Sequence, residues 1–121
     1  MRQFWHRSCT GFAWRKRFPQ ASKVEIREFL DIFIEAFGFA ERRRLCFTPD
    51  DRVMDIYHTL YPPGTLTDNM ELESLIQDLQ SRYGVDFLGS WREEITLGDL
   101  FTQGRASVAY QGGAGNWPPP L

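Results

Sequence analysis

The sequence has few of the residues that support metal binding, disulfide bonds or hydrolytic catalysis. Its 121 residues include two cysteines and two histidines, and the two cysteines do not have the C-x-x-C spacing of a metal or redox site. The phosphate-binding, serine-hydrolase and zinc-protease motifs are missing from the sequence. We therefore predict a protein that is not an enzyme and has no metal site. The simplest expectation for Cys9 and Cys46 is that both are reduced thiols in a cytoplasmic protein.

Long apolar runs and acidic residues near the N-terminus are also missing. No apolar run approaches the roughly 20 residues that cross a bilayer, and the N-terminus does not have the apolar stretch of a secretory signal. Residues 1–20 carry five basic residues, several aromatic residues and no acidic one. This composition leaves a membrane-surface segment open as an alternative. We favour a terminal extension that is packed on the domain or partly disordered.

Charge is unevenly distributed along the chain, although the net charge is only −2. Residues 68–100 contain eight acidic and two basic residues. A surface of one sign attracts an oppositely charged partner and accelerates their encounter, whereas the alternative is a solvated surface without a partner. We expect no nucleic-acid binding, because the basic residues cluster in a short terminal segment and not on a folded face.

Two segments have the hydrophobic period and the end signals of amphipathic helices. Ser22 to Phe37 begins with an S-x-x-E capping box, repeats apolar residues every three or four positions and is followed by Gly38. Thr67 to Tyr83 has Asp68 as its N-cap and is followed by Gly84. The positions of this second helix that we expect to be buried are Met70, Leu72, Leu75, Ile76, Leu79 and Tyr83.

A short helix or turn is predicted from Pro49 to about Tyr57 after a Thr48 N-cap, and a short helix is predicted from Thr96 to Gly104. Because the connections are short, we predict an all-α fold, namely a small antiparallel bundle of three or four helices. The predicted parts of the chain are an irregular N-terminal extension (residues 1–21), the helical domain (residues 22–103) and a flexible glycine- and proline-rich tail (residues 104–121).

Two stretches carry a resemblance to acyl carrier proteins. Residues 68–87, DNMELESLIQDLQSRYGVDF, resemble the family's second-helix region, where D-S-L begins an acidic amphipathic helix that leads to an aromatic residue and a short extended piece. Residues 95–101, ITLGDLF, resemble the start of the final helix, and the helix 22–37 takes the place of the first. The resemblance covers residues 22–103 and implies the carrier bundle, whose acidic second helix is the one that enzymes recognise.

The residue that carries the prosthetic group in this family is replaced here. Asn69 stands where the family has the serine that carries 4′-phosphopantetheine, and a carboxamide cannot supply the hydroxyl oxygen of a phosphodiester. In this respect the chain is similar to a group of bacterial acyl-carrier-like proteins of unknown role. The resemblance therefore implies a non-enzymatic interaction module without a cofactor. Its expected contact surface for a basic protein partner comprises Asp68, Asn69, Met70, Glu71 and Asp78.

Two alternative functions stay open from the sequence. The first is a working acyl or peptidyl carrier that is modified at another hydroxyl group, such as that of Thr67 or Ser74. The second is an immunity or antitoxin-type protein that neutralises a basic enzyme with its acidic helix. The mass of the intact protein distinguishes the first alternative from the others. The fold and the proteins that co-purify distinguish the second alternative, the immunity or antitoxin-type protein, from the carrier-like module.

Overall fold

The computed structural model describes residues 2–62, 64 and 70–112, with the side chains of residue 2 and of residues 108–112 outside the described part. Within these residues the chain is helical and forms no β-strand, which confirms the predicted all-α class. The α-helices are α1 (Arg2–Trp5), α2 (Gly11–Arg17), α3 (Lys23–Phe37), α4 (Val53–Leu60), α5 (Met70–Tyr83) and α6 (Leu97–Gly112), with 3₁₀ segments at Glu41–Cys46 and Leu88–Ser90.

Helix α3 begins and ends where the sequence predicts. The Ser22 hydroxyl accepts a hydrogen bond from the Glu25 N–H at 3.1 Å, and the Glu25 carboxylate accepts one from the Ser22 N–H at 3.0 Å. Gly38 has a φ of 75°, the left-handed conformation that a C-terminal glycine permits. Arg105 of α6 also donates to Glu25, at 2.9 Å. Burial raises the pKa of Glu25, but the hydrogen bonds from Ser22 and Arg105 outweigh it and lower the pKa below its ordinary value.

Helix α6 begins as predicted but continues beyond its predicted end. Thr96 and Asp99 form a reciprocal cap, with N–H to oxygen distances of 3.0 and 3.1 Å. The prediction that Gly104 ends this helix is wrong, because α6 continues to Gly112. A Cβ atom at Gly104 would lie 3.0 Å from the ring of Tyr83, so this glycine allows α5 and α6 to pack closely. The rest of the predicted tail, residues 113–121, lies outside the described residues.

The core is formed by one face of each long helix. Helix α3 packs against α5, and α5 packs against α6. Leu75, Leu79 and Tyr83 are the buried residues of α5. The prediction that Met70 belongs to this buried face is wrong, since 58% of Met70 is exposed. At 100° per residue, Met70 lies on the opposite side of the helix from Leu79, nine positions later.

The N-terminal segment is packed on the domain, which is one of the two predicted alternatives. The prediction that this extension is irregular is wrong for the residues of α1 and α2, because they are helical. Phe4 and Trp14 are both buried in the core. The indole N–H of Trp14 donates to the backbone oxygen of Phe47 at 2.8 Å. Arg7 forms a bidentate ion pair with Asp51, with Nη–O distances of 2.5 and 2.9 Å. These contacts fix the segment on the helical domain.

A turn before α4 is hydrogen-bonded to the start of α6. The Gly98 N–H donates to the Pro49 oxygen at 2.8 Å, and the Leu97 N–H donates to the Asp51 oxygen at 3.0 Å. Helix α4 therefore begins at Val53, so the segment predicted as a helix or turn from Pro49 is a turn followed by a helix. The reason is that the Asp51 carboxylate accepts the Thr48 N–H at 2.7 Å, which closes the turn.

Candidate functional site

The acidic surface predicted from the sequence lies on the solvent-exposed side of α5. Burial of Leu75, Leu79 and Tyr83 leaves the opposite side of the helix open to solvent. Glu73 and Asp78 are exposed, and Glu71 is partly buried. Together with the exposed side chain of Met70, these carboxylates form an acidic surface with an apolar residue at its N-terminal end, which we call the α5 surface.

Glu71 is the most constrained carboxylate of the α5 surface. The hydroxyl of Tyr61, the residue after α4, donates to Glu71 Oε1 at 2.5 Å. Tyr61 itself is partly buried against the core. This hydrogen bond therefore orients the carboxylate and joins the end of α4 to the first turn of α5. Glu71 and Glu73 also lie in the first turn, where negative charge stabilises the positive end of the helix dipole.

Asp78 and Glu73 carry negative charge on the two flanks of the exposed side, about 140° apart around the helix axis. Asp78 lies seven residues after Glu71, two helical turns, and therefore on the same side. Within the part of the chain that the structure describes, neither Glu73 nor Asp78 forms an ion pair. Arg82 is the one basic residue in the sequence of α5, and its guanidinium binds Glu28 of α3 at 2.6 Å. The carboxylates of the α5 surface are consequently available to a partner's cations.

Three of the five predicted contact residues are located by the structure. Met70 and Glu71 are neighbours in the first turn of α5, and Asp78 lies two turns further along. Asp68 and Asn69 are outside the described residues. Glu73 was not among the predicted contact residues, although its position in the first turn and its exposure place it beside Met70. The 3.6-residue period of the helix is the signal that could have found it.

Other polar groups do not assemble into a catalytic constellation within the described residues. No group of three His, Cys, Asp or Glu side chains among them could hold a metal ion. His58 lines a polar cavity of about 480 Å³ that also contains Arg7 and Asp51, but those two side chains already bind each other. Burial raises the pKa of the Tyr83 hydroxyl to about 12, so this phenol stays neutral at physiological pH.

The two cysteines have different environments. Cys9 is exposed, Cys46 is partly buried against the core, and both are free thiols. Within the described ranges, no helix has the length and apolar character needed to cross a membrane.

The chain was compared with known proteins at the levels of sequence and structure. Neither a protein-family model, nor a curated protein, nor a solved structure matches it.

Proposed function

We propose that this protein is a non-enzymatic, acyl-carrier-like interaction module that binds a basic protein partner through the α5 surface. The observation that carries the proposal is the exposed side of α5, where the Glu73 and Asp78 carboxylates and the largely exposed side chain of Met70 face solvent. Charged groups around an apolar residue are the composition of a protein-docking surface, because the charges steer the encounter and the apolar group is desolvated on contact.

The order and packing of the long helices support the carrier-like part of the proposal. In chain order, α3, α5 and α6 would correspond to the first, second and final helices of the carrier bundle that the resemblance implies. Helix α5 packs against both of the others, as the central acidic helix of an antiparallel carrier bundle would. The reciprocal cap of Thr96 and Asp99 lies in the ITLGDLF stretch that carries the resemblance.

The absence of a hydroxyl group at Asn69 supports a role without the prosthetic group. Transfer of 4′-phosphopantetheine forms a bond to a side-chain oxygen nucleophile, and the asparagine amide has none. An interaction module still needs the helix and its charges, and both are present here. The acidic helix would then bind proteins without presenting a covalently attached acyl chain.

Charge reversal on α5 tests this proposal. We expect E73K/D78K to weaken capture of a basic partner from a lysate of the source cells by about tenfold, because two attractive charges become repulsive. E35K/E93K is the matched control, since both residues are exposed and form no ion pair in the described part of the chain. Quantitative mass spectrometry of the captured proteins at low and high salt measures the effect.

The dependence of partner capture on salt concentration can contradict this proposal. The Debye length falls from about 10 Å at 0.1 M salt to about 3 Å at 1 M, so binding through the α5 surface must weaken as salt increases. If E73K/D78K and E35K/E93K captured the same proteins in equal amounts, or if capture were insensitive to salt, the α5 surface would not be the docking site.

A further inference from the structure

A second surface, formed by residues that take no part in the α5 surface, lies between α2 and the first half of α3. We call it the basic groove. Its floor is apolar and consists of Trp14, Ile26 and Leu45. Arg15 of α2 and two basic residues at the start of α3, Lys23 and Arg27, line it as well.

The size of the groove matches one side chain better than a small-molecule ligand. Its cavity is about 190 Å³, which is below the roughly 300–1,000 Å³ of typical ligand pockets. Trp14 and Ile26 are almost completely buried, so the floor is rigid and apolar. An aliphatic or aromatic side chain that entered this cavity would replace water against the partly buried Leu45, a favourable change.

The charge of the groove is entirely positive. Among the residues that the structure describes, none of those lining it is acidic. Arg15, Lys23 and Arg27 form no ion pair within the described part of the chain, whereas Arg7, Arg44, Arg82 and Arg105 all bind carboxylates. The charges of the three cations around the groove are therefore not neutralised by ion pairs within the described part of the chain.

Exposed apolar residues lie next to the groove in the sequence. Phe12 is 72% exposed and follows Gly11, which lines the groove, and Val24 is 63% exposed and follows Lys23. Lys16, on the same helix as Phe12, is also exposed and has no ion pair among the described residues.

We propose that the basic groove docks an acidic segment of a partner protein, with one apolar side chain of that segment in the cavity and its carboxylates on Arg15, Lys23 and Arg27. A concave site with room for one side chain fits a peptide anchor. A bilayer is instead bound by an amphipathic helix that lies flat with its apolar side in the lipid, whereas α2 turns its large aromatic residue, Trp14, into the core. The protein would thus carry two docking surfaces of opposite charge.

The first experiment measures binding of a defined peptide to the full chain. The probe is a short fluorescein-labelled peptide of glutamates with one central phenylalanine, and fluorescence anisotropy gives its Kd. We expect salt-sensitive binding that weakens about tenfold in K23E/R27E, because both cations are replaced by repelling carboxylates. R42E/R52E is the control of equal net charge, since Arg42 and Arg52 are exposed, do not line the groove and form no ion pair in the described ranges.

A second readout locates the bound peptide. Cys9 lines the groove and is exposed, whereas Cys46 does not line it, so Cys46 is an internal reference. Bound peptide should slow the alkylation of Cys9 by iodoacetamide in proportion to the occupied fraction and leave Cys46 unchanged. A peptide with serine in place of the phenylalanine should bind more weakly and protect Cys9 less, because it has no anchor for the cavity.

Several results would overturn the proposal. One is a lack of binding by the phenylalanine peptide, and another is an equal loss of affinity in K23E/R27E and R42E/R52E. Binding to phosphatidylserine vesicles that K23E/R27E abolishes, without peptide protection of Cys9, would identify the surface as a membrane contact instead. Circular dichroism confirms that both double variants are folded. None of these three results affects the E73K/D78K test, because the two surfaces have no residue in common.

Discussion

Replacing Trp14 by alanine is expected to lower the free energy of unfolding by about 3–5 kcal/mol, the usual cost of removing a large buried aromatic side chain. Trp14 is completely buried, and its ring contacts Phe29 of α3 and Phe101 of α6, with centroid distances of 5.9 and 5.8 Å. Its loss would leave a cavity between three helices. The Phe47 oxygen, its hydrogen-bond acceptor, is also within 2.7 Å of the Thr10 hydroxyl, so the expected cost comes mainly from packing.

Phe12→Ala is the matched control for Trp14→Ala. Phe12 lies two positions earlier on the same helix, but 72% of it is exposed, so we expect a change within about 0.5 kcal/mol. Urea unfolding followed by circular dichroism measures both variants. Equal stability of the wild-type protein and Trp14→Ala would mean that the N-terminal segment does not contribute to the core.

Replacing Leu79 by alanine is expected to lower the free energy of unfolding by about 2–5 kcal/mol. Leu79 is fully buried on the face of α5 that packs against the neighbouring long helices. Removal of its branched side chain takes apolar contacts from the centre of the domain and leaves a cavity that the surrounding helices fill only in part. Thermal and denaturant unfolding of the wild-type protein and of Leu79→Ala measure this loss of unfolding free energy.

Met70→Ala tests the register of the same helix. Met70 is largely exposed on the opposite side of α5, so its replacement should change stability by no more than about 0.5 kcal/mol. An unchanged melting temperature for Leu79→Ala, or a larger loss for Met70→Ala than for Leu79→Ala, would contradict the orientation of α5. The α5 surface depends on that orientation.

The features predicted correctly from the sequence are those determined by residues close together in the chain. The capping box of Ser22 and Glu25, the glycine after α3 and the reciprocal cap of Thr96 and Asp99 each involve partners within four residues. The buried face of α3 follows from the 3.6-residue period of its apolar residues. Local signals of this kind were sufficient to predict the all-α class and the main helices.

The features that the sequence did not indicate depend on contacts between distant residues. Trp14 binds Phe47, 33 positions later, and Arg7 binds Asp51, 44 positions later. The aromatic residues before α3 have no helical period, so nothing in the local pattern shows that they enter the core. Glycine often follows the last residue of a helix, which is why Gly104 was predicted to end α6. The close approach of the Tyr83 ring, which leaves little room for a Cβ atom, explains the presence of a glycine better.

The candidate surfaces were predictable to different degrees. Glu71 and Asp78 share one side of a helix whose period is clear in the sequence, so their placement was predictable. The hydrogen bond from Tyr61 to Glu71 joins residues ten positions apart, and no local pattern predicted it. The basic groove depends on how α2 packs beside α3, and the sequence indicated only that basic and aromatic residues are mixed near the N-terminus.

The central claim is that this carrier-like module works without a prosthetic group, and the mass of the intact protein tests it most directly. The wild-type protein and Asn69→Ser are each incubated with coenzyme A and a broad-specificity phosphopantetheinyl transferase. We expect no change in mass for the wild type, and a gain of one phosphopantetheine for Asn69→Ser, because the serine restores the hydroxyl nucleophile of the family motif. Failure of Asn69→Ser to gain mass would contradict the resemblance, and a phosphopantetheine on the wild-type protein would contradict the central claim.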